Sequence, residues 1–86
     1  MNSAVRAAQL LLAQNDTDRA EAVAHRALAA DAWAEDAYAV LIGVALLRRD
    51  RSAAHRLLGL CLEALGDLGV EPSDVTHQLR RRVAEA

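Results

Sequence analysis

Three histidines, ten arginines and one cysteine are the residues of this 86-residue chain that could carry chemistry. A transition metal would be the natural use of His25, His55 and His77. No two of them stand three or four residues apart, however, the spacing that sets two ligands on one helix face. They read as unrelated helix-surface or half-buried side chains. Arg80, Arg81 and Arg82, with Arg48, Arg49, Arg51 and Arg56, would suit a phosphate or an acidic partner. Three consecutive helical residues fan out over about 200° of the circumference, so they cannot all face one ligand. Cations in the last turns of a helix also offset its dipole, and these arginines read as solvated. Asp16 with Asp18, or Glu35 with Asp36, could form acid–base pairs, yet each pair sits at a helix start, where negative charge is stabilised in any case. Cys61 falls on an apolar helix face and reads as a small core residue, and one cysteine cannot form an internal disulfide. No nucleophile, glycine-rich phosphate loop or ligand cluster completes any of these sets. The expectation is a chain that is not an enzyme and holds no cofactor and no metal.

Composition points the same way. Aromatics are limited to Trp33 and Tyr38, and alanine takes their place, which suits closely packed helices. A net charge of −2 with no lysine gives no electrostatic reason for direct nucleic-acid binding. No run approaches the roughly 20 apolar residues of a membrane span; the longest uncharged run is Ala37 to Leu47. The N-terminus lacks a basic start, apolar core and small-residue cleavage site. No membrane association is expected, and the cytoplasm is the expected location.

The elements that would position these residues repeat. Leu12 recurs as Leu46, Asp16 as Asp50, Ala20 as Ala54, Val23 as Leu57 and Leu28 as Leu62, a period of 34 residues. That is the spacing of a stacked helix-turn-helix unit, the tetratricopeptide repeat, which builds binding surfaces. A first helix spans Ser3 to about Ala13, and Asn15 and Asp16 break it. Thr17 caps a second, with Asp18 and Glu21 near its positive end. Asp31 opens a third, from about Ala32 to Leu47, in whose middle Gly43 implies close approach of another backbone. A fourth runs from about Ser52 to Leu65, with Gly66 as its stop. After the Gly- and Pro-containing link, Ser73 caps a last helix carrying Val75, Leu79 and Val83. The fold class read from this is all-α: tetratricopeptide-like right-handed helical hairpins, two of them plus a C-terminal capping helix. Hairpin 1 covers about residues 3–30, hairpin 2 about 32–65 and the cap about 73–85, within a single domain over 1–86.

The small-residue positions of the tetratricopeptide pattern fall on Ala8, Ala20, Ala24 and Ala27, then on Ala54 and Cys61, with Ile42 and Leu58 where larger groups are admitted. Ala4 and Leu11 stand where aromatic anchors are usual, and Ala32 where proline is usual. The second half is more specific. The string Ala34-Glu35-Asp36-Ala37-Tyr38-Ala39-Val40-Leu41-Ile42, then Asp50-Arg51-Ser52-Ala53-Ala54, then Leu68-Gly69-Val70-Glu71-Pro72-Ser73 before a last helix, closely resembles the bacterial transcriptional activator domain of antibiotic-regulatory-protein type regulators. The resemblance runs from about Asp16 to the C-terminus. Members of that family join this helical domain to a DNA-binding winged helix. The resemblance therefore implies an excerpt of a longer regulator, whose DNA binding would lie in a domain absent here, and a regulatory role for these helices through interdomain or oligomeric contacts. A generic tetratricopeptide scaffold or adaptor unrelated to transcription is the alternative.

Such repeats bind along the first helix of each hairpin. Here that face offers Val5, Gln9, Leu12 and Ala13, then Asp36, Ala39, Gly43, Leu46 and Leu47, with few charges. It is apolar and calls for cover by protein: another domain of the regulator, a second copy or a transcription component. The Lys/Asn cluster that grips a peptide carboxylate in some chaperone-binding repeats is absent. Trp33, between the hairpins, either packs at the junction or serves as an exposed partner anchor.

Overall fold

The computed structural model describes the backbone of residues 3–86 and the side chains from Arg6 onward. Five helices follow one another: α1 (Ser3–Ala13), α2 (Thr17–Ala30), α3 (Glu35–Leu47), α4 (Arg51–Leu68) and α5 (Asp74–Glu85). No strand occurs among the described residues.

Three boundaries differ from the sequence reading. Helix α2 is entered through Asp16, not Thr17, which is its first residue. Asp31 does not open α3. Its Oδ1 instead accepts the Trp33 N–H at 3.0 Å, closing a turn that carries the chain to Ala34 before the helix starts. Gly66 does not stop α4, which continues to Leu68 and ends where Gly69 adopts φ 68°. The Val70 N–H returns to the Leu65 carbonyl at 3.0 Å and the Gly69 N–H to Gly66 at 3.1 Å. That six-to-one and five-to-two pairing favours a glycine followed by an apolar residue, which describes Gly69-Val70 and not Gly66-Asp67.

The 34-residue period is written into the backbone. Asn15 (φ 62°) and Arg49 (φ 57°), 34 positions apart, are the two non-glycine residues found in the left-handed region among those described. Each closes its helix identically: Asp16 N–H to Leu11 O at 2.8 Å and Asp50 N–H to Ala45 O at 2.9 Å, with Asn15 to Leu12 and Arg49 to Leu46 at 3.0 and 3.1 Å. Burial repeats as well. Ala20 and Ala54 are fully buried, Ala8 and Ile42 likewise, and Ala27 and Cys61 nearly so. The turns differ in one respect: the Asp50 carboxylate caps α4 through the Ala53 N–H (3.0 Å), whereas Asp16 pairs with Arg19 at 3.6 Å.

Helix α3 is the hub. It touches all four other helices and buries Ala37, Val40, Leu41, Ile42, Val44 and Ala45. On one side it meets the alanine-rich surfaces of α1 and α2, where small side chains permit close approach. On the other, Ile42 and Ala45 pack with Ala54 of α4 and with Leu79 and Val83 of α5.

A polar clasp fixes the start of α5. Ser73 caps it as expected, its hydroxyl accepting the Thr76 N–H at 3.4 Å. The Glu35 carboxylate, in the first turn of α3, accepts the Ser73 N–H at 2.9 Å and the hydroxyl of Thr76, which is buried. Desolvation works to raise the Glu35 pKa, but the bonds from Thr76 and Ser73 and the nearby His77 together hold it below the ordinary glutamate range. Beneath the clasp lies Cys61, buried as the sequence suggested. Its thiol is pushed up by burial and by the Glu35 charge, against a bond to Thr76. It is accordingly a thiol at neutral pH and a poor nucleophile.

The left-handed turn and the clasp can be tested by substitution. Arg49→Gly should relieve left-handed strain of about 1–2 kcal/mol, offset by roughly 0.5–1 kcal/mol of extra unfolded-state freedom. Urea denaturation should show up to about 1 kcal/mol of added stability, whereas Arg49→Val should lose stability. Glu35→Ala should leave the Thr76 hydroxyl without its acceptor, at about 1–3 kcal/mol. It should also speed iodoacetamide labelling of Cys61 as α5 loosens. Because folding depresses the Glu35 pKa, its contribution is present above the unfolded glutamate value and lost as pH falls through the lower folded value. Glu35→Gln should therefore flatten the acid limb of a stability–pH curve.

Candidate interaction surface

Helices α1, α3 and α5 frame a shallow hollow of about 190 Å³. Its floor is α3, through Ala39, Val40 and Gly43; one wall is Gln9 and Leu12 of α1, the other Val75, Leu79 and Arg82 of α5. α1 and α5 make no direct backbone approach, so the gap between them stays open above the small residues of α3. Gly43 sets its depth. A Cβ there would come 2.9 Å from Leu12 Cδ2, so the glycine makes room for a leucine side chain and not, as its position suggested, for a neighbouring backbone.

Of the eight residues expected to bind, the fold gathers Gln9, Leu12, Ala39 and Gly43 here. Leu46 lies further along α3 and lines a different hollow, of about 320 Å³, with Arg49, Asp50, Arg51 and Ala86. Leu47 is 52% exposed and lines neither. Trp33 is 51% exposed on the α2–α3 link and lines neither. The side chain of Val5 lies outside the described residues. The α5 wall was missed by treating that helix only as a lid on the second hairpin. Val75, Leu79 and Arg82 nevertheless recur at i, i+4 and i+7, the signal of a second face.

Charge is sparse in the hollow: among the described residues Arg82 is its one charged lining residue. Arg80 and Arg81 look elsewhere, lining an outer recess of α5 with His77 and Ala84, so the three arginines do divide between faces. His25 lines a cleft between α2, α3 and α4 where Arg48 bridges Asp18 at 2.5 Å and Glu21 at 3.2 Å. His55 is exposed on α4. Among the described residues no three His, Cys, Asp or Glu side chains gather as metal ligands. The shifted groups, Glu35, Tyr38 and Cys61, are all outside the hollow. Tyr38 is raised by burial and by Cys61 and Glu63, and its hydroxyl donates to the Ala32 carbonyl at 3.3 Å, which steadies the link below Trp33. No described helix is long and apolar enough to cross a membrane.

No family model, no curated protein and no solved structure matches the chain.

The hollow yields a mutational expectation. Gly43→Ala gains about 1 kcal/mol of helix propensity and forces Leu12, half-exposed beside open space, off its present rotamer for about 0.5–1.5 kcal/mol. Stability measured by urea should stay within about 1 kcal/mol of the parent. A Gly43→Phe variant should retain the helical signal while filling the hollow.

Proposed function

We propose that this chain is a protein–protein interaction module of a bacterial transcriptional regulator, built as tetratricopeptide-like hairpins with α5 as their cap. The observation that carries the reading is the hollow of α1, α3 and α5. It is apolar, floored by small residues and wide open, the arrangement in which an extended or helical segment of another protein lies along helical repeats. Two further features support it. The turn at Asn15 recurs at Arg49 with the same dihedral sign and hydrogen bonds, as stacked repeats require. The outward face of α5, with His77, Arg80 and Arg81, is polar, as a terminal cap needs. The transcriptional assignment rests on the resemblance of the strings from Ala34 to Ile42 and from Leu68 to Ser73 to the bacterial transcriptional activator domain. On this reading the partner is protein, the site is cytoplasmic, the role is recognition without catalysis, and DNA is bound by another domain of the regulator.

A photo-crosslinking residue at Ala39, in the hollow, tests this against one at Ala29, exposed on α2. In the cells that make the protein, Ala39 should crosslink to a winged-helix domain of the same regulator or to a transcription component. Crosslinks from Ala39 to proteins of an unrelated pathway would instead favour the scaffold reading. Crosslinks from Ala29 alone would sink the hollow as the site. Leu12→Glu should abolish the Ala39 crosslink and Leu47→Glu, outside the hollow, should not.

A further inference from the structure

Ionic groups are sorted between the two ends of the helix array. One end holds the α2–α3 and α4–α5 links, brought together by the Glu35–Ser73 bond. The other holds the α1–α2 and α3–α4 turns and the last turns of α5, as the shared hollow of Leu46, Arg51 and Ala86 shows. Residues 27–40 and 61–79, the links and helix halves at the link end, contain no arginine and no lysine. They contribute Asp31, Asp36, Glu63, Asp67, Glu71 and Asp74, none in an ion pair among the described residues. At the turn end, Asp16, Asp18 and Glu21 are engaged by Arg19 and Arg48. That leaves Arg49, Arg51, Arg80 and Arg81, against Asp50 and Glu85, without an ion-pair partner among the described residues.

Both ends also expose apolar side chains inside these fields. The link end presents Trp33, Leu68 (47% exposed) and Val70; the turn end presents Leu47 beside the half-buried Leu46. An acidic, aromatic surface and a basic, leucine-bearing surface on one rigid unit are complementary to each other.

We propose that these ends dock on one another between copies, so that the link end of one copy receives the turn end of the next. The interface is heterologous: each copy uses a different surface toward each neighbour, and the array grows as an open chain or closes as a ring. Opposed charges set the register and speed encounter, and Trp33 and Leu47 supply the dry contact. The proposal rests on the chain being an interaction module but makes no use of the hollow, which stays free in the assembly.

The test is sedimentation velocity over a concentration series at about 0.05 M and about 1 M salt, where the Debye length shrinks to roughly 3 Å. At low salt the average mass should rise with concentration, and high salt should weaken association about tenfold or more. Asp67→Arg/Glu71→Arg and Arg51→Glu/Arg81→Glu, each with its helical signal intact by circular dichroism, should be monomers alone. Their equimolar mixture should regain the higher mass. A mass fixed at the monomer throughout the low-salt series would overturn the proposal, as would association indifferent to salt and to both reversals. In either event the Ala39 crosslink still reads the hollow independently, so the two failures are told apart.

Discussion

Helix α3 is apolar around nearly its whole circumference, and a helix of that kind needs cover over most of it. This demand organises the molecule. α1 and α2 cover one flank and α4 another, and α5 is held against what remains. α5 is the least self-sufficient element, since only Thr76, Leu79 and Val83 are buried along it. Without it, Ile42, Ala45, Ala54 and Cys61 would lose cover, an apolar exposure too large for a small domain to tolerate well. The Glu35 clasp matters for that reason: it locates the first turn of a weakly buried helix with directional bonds, leaving Leu79 and Val83 to complete the seal.

The two halves meet the same demand with different materials. The first packs alanine on alanine, gaining dense contact at little side-chain entropy. The second has Ile42 in place of Ala8, Leu58 of Ala24 and Cys61 of Ala27, and its larger side chains pack with Leu79 and Val83 of α5. Where the α3 surface is small, at Ala39 and Gly43, α1 and α5 do not close over it, and the hollow is what is left. It is thus a consequence of residue size on one helix face, deepened by the room Gly43 gives Leu12.

Much of this was legible in the residue order. The 34-residue period located both left-handed turns, and the spacing of Ala20, Ala24 and Ala27 named the core face correctly. Errors arose where two local devices competed for one residue. Asp31 can cap a helix or close an Asx turn, and the turn at Trp33 took it. Gly66 and Gly69 can each end α4, and the apolar residue after Gly69 decided. The half of the hollow contributed by α5 was hidden for another reason. Which side of Val75, Leu79 and Arg82 meets α3 depends on Glu35 reaching Ser73 and Thr76, contacts 38 and 41 residues apart in sequence. No local pattern reports a pairing at that range.

That long-range pairing also couples the surfaces. α5 is at once the cover of the second core cluster and a wall of the hollow, so its docking and any occupancy of the hollow share one equilibrium. A segment that bound only when Val75 and Arg82 are in place would add its binding free energy to the docking of α5, and the clasp at Glu35 would raise its affinity by keeping the wall formed. The dependence is reciprocal. Loosening the clasp would weaken binding without touching a contact residue, while a bound segment would protect Cys61 beneath α5. The residues that hold the fold closed are therefore also those that would set how well the proposed hollow receives a partner.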